Sequence, residues 1–358
     1  MIPIAKPAIG EEEISAVKIV LESGRLTMGP NVDAFEKEFA SYIGTEYAVA
    51  LNSGTSALLC ALLAGKVKGE VITTPFSFIS SASVIVFAQC NPVFADIKED
   101  CTIDEEKITE QITSKTAALL PVNLYGNPCA MKALTDLAED YSLLLVEDAC
   151  QAHGAEYKGK KVGRFGIGCF SFYPTKNMTT AEGGMVVTSD SEIAHRLRLL
   201  RNVGQETMYE YKSLGYNMRM TEMSAAIGRV QLKKLDKFNE MRIKNAEYLS
   251  QHLKNIKGIE VPEVDPEKKH VFHQYTIKVR EPFPLTRDKL QQHLIKKGIG
   301  CRVYYPTPLH HLPFFAYFGH DDLKKSEEAA AQVLSLPVHP GVTQKELDFI
   351  CECVGEVL

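Results

Sequence analysis

The chain has 358 residues, 45% hydrophobic and 24% charged, with a formal net charge of −5, a globular composition long enough for two domains and a sizeable core. Forty Lys and Arg stand against 45 Asp and Glu with no long basic run, and no apolar stretch approaches the roughly 20 residues of a bilayer crossing, so neither nucleic acid nor membrane is an expected partner. Nine cysteines, none in a CxxC pair, point to reduced, mostly buried thiols in a cytoplasmic protein, and Met1 to Pro7 carries no signal-peptide pattern.

From about residue 47 onward, short apolar runs alternate with stretches of helical period. Tyr47–Leu51, Glu70–Thr74, Asn91–Asp96, Ala117–Val122, Leu143–Glu147, Ile167–Ser171 and Met185–Thr188 read as strands, because continuous apolar runs bounded by polar or turn residues suit a sheet buried on both faces. Thr55–Ala64, Ser80–Ala88, Met131–Tyr141 and Ser191–Leu200 have helical spacing and serve as crossovers of a parallel sheet. Thr221 to Ile256 contains no proline and a single glycine, Gly228, so one long helix is expected to link two domains. After Gly258 the elements shorten: His273–Val279 alternates, Arg287–Lys297 is helical, and Pro306 to Pro313 is punctuated by proline. The expected architecture is α/β, with a mostly parallel central sheet in a large domain over residues 1–240 and a smaller α+β domain over 241–358.

Three segments carry chemistry. In Phe170-Ser171-Phe172-Tyr173-Pro174-Thr175-Lys176-Asn177, a lysine leaves an apolar strand through a rigid turn and precedes Gly183-Gly184 and another apolar strand. Desolvation lowers a lysine's pKa and makes its amine a nucleophile, so Lys176 is a Schiff-base candidate; a surface turn lysine is the plainer reading. Asn52-Ser53-Gly54-Thr55-Ser56 passes from strand through a tight turn into a helix, whose free N–H groups attract an anion such as phosphate, although an ordinary helix cap has the same look. In Leu143 to Gly154 a buried strand ends in Glu147-Asp148, where open α/β sheets collect ligand groups. A phosphate grip, an acid and a lysine are the three anchors that pyridoxal 5′-phosphate needs, and an aromatic in Thr74-Pro75-Phe76-Ser77-Phe78 can stack on its ring.

These motifs, in this order, resemble the DegT/StrS-type nucleotide-sugar aminotransferases, fold type I pyridoxal phosphate enzymes. The resemblance covers nearly the whole chain and includes Leu26-Thr27-Met28-Gly29-Pro30, Phe35-Glu36, Glu147 to Gly154, and Gly215-Tyr216-Asn217-Met218-Arg219-Met220-Thr221-Glu222. It implies that Lys176 holds the cofactor and then moves the proton, that Asp148 pairs with the pyridine nitrogen, and that Gln151 bonds the cofactor's 3-hydroxyl. It further implies that Phe78 stacks on the ring, that Gly54, Thr55, Ser56 and Ser171 bind the phosphate, and that Asn217 reaches the phosphate in a neighbouring subunit, making a homodimer with shared sites. The implied reaction moves an amino group from glutamate or glutamine to a nucleotide-linked keto-sugar by ping-pong turnover. A branch of the family that replaces the lysine by histidine dehydrates sugars; this chain keeps Lys176. A lyase on the same cofactor and a ligand-sensing regulator on the same fold are the competing readings.

Tyr305, His310, His153 and Arg219 are the candidate substrate contacts. His310-His311 is read as no metal site, because no acid or cysteine stands beside it at ligand spacing, and His270 and His273 are read as surface residues. The chain has no GxGxxG and no P-loop pattern.

Overall fold

The computed structural model describes residues 1–319 and 323–357. Seven strands form the central sheet: β1 (Tyr47–Leu51), β2 (Glu70–Thr73), β3 (Asn91–Phe94), β4 (Thr116–Leu120), β5 (Leu144–Asp148), β6 (Ile167–Ser171) and β7 (Gly184–Thr188). Their order is β1-β7-β6-β5-β4-β2-β3. Strands β3, β2, β4, β5 and β6 run parallel. The departure from the parallel pattern is β7, antiparallel to both β6 and β1. The segment from Phe172 to Gly183 that precedes it contains no helix, and without a crossover the chain can only turn back beside β6.

Helices sit on both faces, and the strand alternation shows why the runs are apolar throughout. Ala48 and Ala50 of β1 enter one cluster with residues of α2 (Pro30–Ile43), whereas Val49 and Leu51 enter another with residues of α3 (Gly54–Ala64). Successive side chains of a strand point to opposite faces, so both must be apolar when both are covered. The face bearing α3 also carries α4 (Ser80–Phe87), and the opposite face carries α5 (Glu105–Gln111) and α6 (Met131–Asp140). α7 (Ser191–Arg201) returns to the α3 face and ends in Arg201, which forms a buried ion pair with Glu36 of α2. Both partners hold β1: the Ala50 N–H donates to Glu36 Oε1 at 2.8 Å, and Arg201 Nη1 donates to the Ala50 carbonyl at 2.8 Å. Removing one member of such a buried pair costs about 3–5 kcal/mol.

The long helix is α8 (Glu222–Leu253), 32 residues capped by Thr221, whose hydroxyl accepts from the Ser224 N–H. It leads into a three-stranded antiparallel sheet of Ile259–Glu260, Tyr275–Val279 and Val333–Leu336. With α9 (Arg287–Lys296) and α11 (Gln344–Gly355) this sheet encloses a separate apolar cluster, and α10 (Lys324–Gln332) leads into its last strand. The N-terminus belongs there too: Ile2 pairs with Ile299 and joins that cluster.

Helix α1 (Glu11–Ser23) inverts the usual amphipathic sign, which is why no apolar stripe announces it. Glu13 is buried and accepts from Gln231 and Lys234 of α8 at 2.8 Å each, while Ile14, Ile19 and Leu21 are exposed. Among the described residues no helix is long and apolar enough to cross a membrane.

Candidate active site

The carboxyl ends of β5 and β6 and the amino ends of α3 and α4 converge on one cleft of about 540 Å³, within the size range of small-molecule sites. After β1 the chain turns at Ser53, whose hydroxyl accepts from the Ser56 N–H at 3.1 Å and caps α3. The first N–H groups of that helix have no intrahelical partner, and Gly54 and Thr55 line the cleft. Thr55 Oγ1 lies 2.8 Å from Ser80 Oγ, joining the amino ends of α3 and α4. Two glycines permit this packing. A Cβ on Gly54 would sit 2.5 Å from Ser171 Cβ, and one on Gly184 would sit 2.1 Å from the Ser53 carbonyl oxygen. A side chain at Gly54 would drive Ser171 away from the helix, and one at Gly184 would push its strand off the Ser53 turn.

Asp148 closes β5 with both carboxylate oxygens engaged: Oδ2 accepts from Ser81 Oγ at 2.7 Å and Oδ1 from the Cys150 N–H at 3.1 Å. Gln151 is oriented by two partners. Its Oε1 accepts from the Tyr125 N–H at 3.0 Å, leaving Nε2 as a donor on the cleft side, 3.3 Å from the Tyr305 hydroxyl. Phe78 lines the cleft with 53% of its surface exposed, its ring tilted against that of Tyr305 with centroids 6.2 Å apart. Lys176 closes the Tyr173 to Lys176 turn, its N–H donating to the Tyr173 carbonyl at 2.9 Å. Loss of water around its amine pushes the pKa below the ordinary lysine value, and Cys150 and Asp148 only partly oppose the shift. An amine whose charged form burial disfavours, an acid side chain held by two donors and an oriented amide donor therefore share one cavity.

Of the residues singled out from sequence, the cleft gathers Gly54, Thr55, Phe78, Asp148, Gln151, Ser171, Lys176 and Tyr305. Ser56 stays behind the turn, its hydroxyl donating to Asn52 Oδ1 at 2.7 Å. His153 lies outside the wall, buried between Phe170 and Phe172 with ring centroids 5.4 and 5.6 Å away. Arg219 donates to Asn202 Oδ1 at 2.9 Å, and His310 packs near Phe94 and Glu327, both away from the cleft. Asn217 is exposed and does not line the cleft of its own chain. The cleft also uses Ser80, Ser81, His273, Gln274 and Tyr304, which sequence reasoning passed over. The two serines open α4 directly after the aromatic segment, and that polar helix start was the available signal.

His270 and His273 are not surface residues: both are more than nine-tenths buried. The Val271 N–H donates to the Gly126 carbonyl and the Gln274 N–H to the Tyr125 carbonyl, which pins the segment against the Leu124 to Gly126 turn. His270 stacks on Phe272 at 3.9 Å and its Nδ1 accepts from the Phe272 N–H at 2.9 Å. Burial pushes its pKa down to about 3 and holds His273 well below the usual value. Below about 6.5 such groups are neutral when folded and protonated when unfolded, so their stabilisation is complete above that value and is lost as pH falls below it, for His270 toward about 3. Each should lower stability by about 1.4 kcal/mol per pH unit in that window. Urea unfolding at pH 7 and pH 5 should show the loss, and His270→Asn, which keeps an acceptor for the Phe272 N–H, should reduce its slope by one proton.

The family model of the DegT/DnrJ/EryC1/StrS aminotransferases matches residues 7–355. The chain belongs to that family. It is 40% identical over 355 residues to the dTDP-3-amino-3,4,6-trideoxy-alpha-D-glucose transaminase of Streptomyces venezuelae, across 96% of this chain and 92% of that protein. It is 35% identical over 365 residues to the GDP-perosamine synthase of Caulobacter vibrioides, across 100% and 98% of the two chains. The solved structure of Helicobacter pylori PseC, an aminotransferase involved in the biosynthesis of pseudoaminic acid, matches with a TM-score of 0.95 at 31% identity, over 99% of this chain and 98% of that one.

As a member of this aminotransferase family the chain is a pyridoxal phosphate enzyme, and its cleft fits that group by chemistry. The unpaired N–H groups of α3 with the Thr55, Ser80 and Ser171 hydroxyls suit a phosphate. Phe78 offers a face for the ring, Asp148 an anion, Gln151 a donor and Lys176 an amine.

Proposed function

We propose that this aminotransferase moves an amino group from glutamate or glutamine to a keto-sugar carried on a nucleotide, giving an amino sugar in two half-reactions. The observation that carries the reading is the meeting of Lys176, Asp148 and Gln151 in one cavity, where burial lowers the lysine's pKa. Pyridoxal phosphate, when bound, supplies the electron sink that makes a carbon–hydrogen bond beside an amine acidic. Lys176 Nζ takes and returns the proton at the amino-bearing carbon. Asp148, held by Ser81 and the Cys150 N–H, would pair with the pyridine nitrogen of the bound cofactor. Gly54, Thr55 and Ser171, with Ser80 beside them, would hold the phosphate. Gln151 would donate to the ring's hydroxyl oxygen, Phe78 would cover one ring face, and Tyr305 would border the sugar.

The relatives named above carry their sugars on dTDP in one case and GDP in the other, which supports a nucleotide-linked substrate as a class. Incubation with ¹⁵N-glutamate, or amide-labelled ¹⁵N-glutamine, and a nucleotide-linked keto-sugar should place the label on the sugar, read by mass spectrometry. A sugar product lacking the label, or one formed without any amino donor, would instead indicate a lyase.

The active unit is a homodimer in the cytoplasm. Asn217 is exposed on its own chain, which suits a role over a second copy's cleft, and the exposed Ile14, Ile19 and Leu21 of α1 offer apolar surface for a partner. All nine cysteines are free thiols, seven of them buried, as in a reducing compartment. Mixing Asn217→Ala chains with Lys176→Ala chains should restore one intact site per mixed dimer, and activity should exceed that of either parent. Mixed dimers no better than their parents would remove Asn217 from the shared site.

A further inference from the structure

Sequence reasoning set His310-His311 aside because no acid stood beside the pair, but the fold brings one from α10. His310 Nε2 lies 3.2 Å and His311 Nε2 3.1 Å from the same atom, Oε1 of Glu327, and the three donors fall within 4.8 Å of one another. We propose that His310, His311 and Glu327 form a site for one divalent cation of the zinc class, which clips the Leu309–His311 turn to α10.

The spacing suits an ion. Tetrahedral zinc, with bonds of about 2.0–2.1 Å to imidazole nitrogen and about 2.0–2.2 Å to carboxylate oxygen, separates neighbouring ligand atoms by about 3.3–3.4 Å. The two histidine–carboxylate separations need to open by only a few tenths of an ångström, and the two imidazole donors lie within 4.8 Å of each other. Two imidazoles and a carboxylate also form a recognised zinc donor set, with the fourth position left for water.

The three ligands divide between rigidity and access. His310 is 2% exposed, its ring set against Phe94, and the Leu309 N–H donates to the Pro75 carbonyl at 2.7 Å. The first ligand is thus fixed on backbone tied to the segment that carries Phe78. His311 and Glu327 keep 47% and 46% of their side-chain surface in solvent, which leaves an entry path and room for the water. The ion serves structure rather than amino transfer, because none of the three side chains lines the cleft. It would steady the turn that follows Tyr304 and Tyr305 of the cleft wall.

The test uses the cofactor-loaded enzyme, dialysed against chelator and titrated with Co²⁺ and then Zn²⁺. One Co²⁺ per chain should bind with the intense visible bands of a four-coordinate ion, and Zn²⁺ should displace it. Zn²⁺ should also raise the melting temperature of the wild type by a few degrees. His311→Ala and Glu327→Gln, both at half-exposed positions, should fold normally and lose more than about 100-fold in affinity, because losing a ligand exceeds the 10–100-fold cost of losing a supporting hydrogen bond. Their melting temperatures should not respond to Zn²⁺. Failure to bind either ion, or equal affinity in the wild type and both variants, would overturn the proposal; equal affinity would place the ion on other histidines.

Discussion

Replacing Lys176 by alanine is expected to lower turnover by about 10⁴-fold, the upper range for loss of a positioned proton-transfer group. The size follows from the setting of the amine. It stands in a wall where loss of water lowers its pKa and so favours the uncharged base, and every other lining group is an acid, an amide, an imidazole, a hydroxyl, a thiol or a hydrocarbon. None of these replaces an amine as nucleophile. The rest of the grip is untouched by the change: the amino end of α3, Asp148, Gln151 and Phe78 remain in place. The variant should therefore still bind pyridoxal phosphate noncovalently, yet borohydride should trap no lysine-linked cofactor in a peptide map. An adduct on a different lysine would move the catalytic amine elsewhere.

Asp148→Asn is expected to cost about 10²–10³-fold in turnover with near-normal folding, as for the loss of one preorganised electrostatic partner. The amide keeps the shape of the side chain and loses the carboxylate that, in the proposed role, would keep a proton on the pyridine nitrogen. Ser81→Ala tests the same point more gently. It leaves the carboxylate in place and removes only the hydroxyl that donates to Oδ2 at 2.7 Å, so a loss of about tenfold is expected from one charge-assisted hydrogen bond. Steady-state kinetics with both substrates varied would measure each effect. A Ser81→Ala loss as large as that of Asp148→Asn would mean that the serine itself meets the cofactor.

The strands of the central sheet were legible because a sheet covered on both faces writes itself as unbroken apolar runs, and six of the seven runs are parallel in the structure as the alternation implied. The direction of β7 was not legible: it depends on whether Phe172 to Gly183 crosses the sheet or doubles back, and no residue type encodes that. Residues that line the cleft were legible where they share a short segment, as Gly54 with Thr55, Asp148 with Gln151, and Ser171 with Lys176. Groups supplied across space were not. Ser81 reaches Asp148 from α4, and Glu327 reaches the His310-His311 pair from α10, with nothing in local spacing to mark either. His270 misled for a related reason, since a polar side chain is buried at low cost once a backbone N–H and a stacked ring receive it.

The most direct measurement is the absorption spectrum of the purified enzyme with pyridoxal phosphate, taken before and after L-glutamate and again after a nucleotide-linked keto-sugar. The lysine-bound cofactor should show a visible band, glutamate or glutamine should bleach it, and the keto-sugar should restore it, separating the two half-reactions in one cuvette. A band that forms and ignores both amino donors would contradict the proposed donor and favour a lyase, and no band at all would contradict the assignment of Lys176.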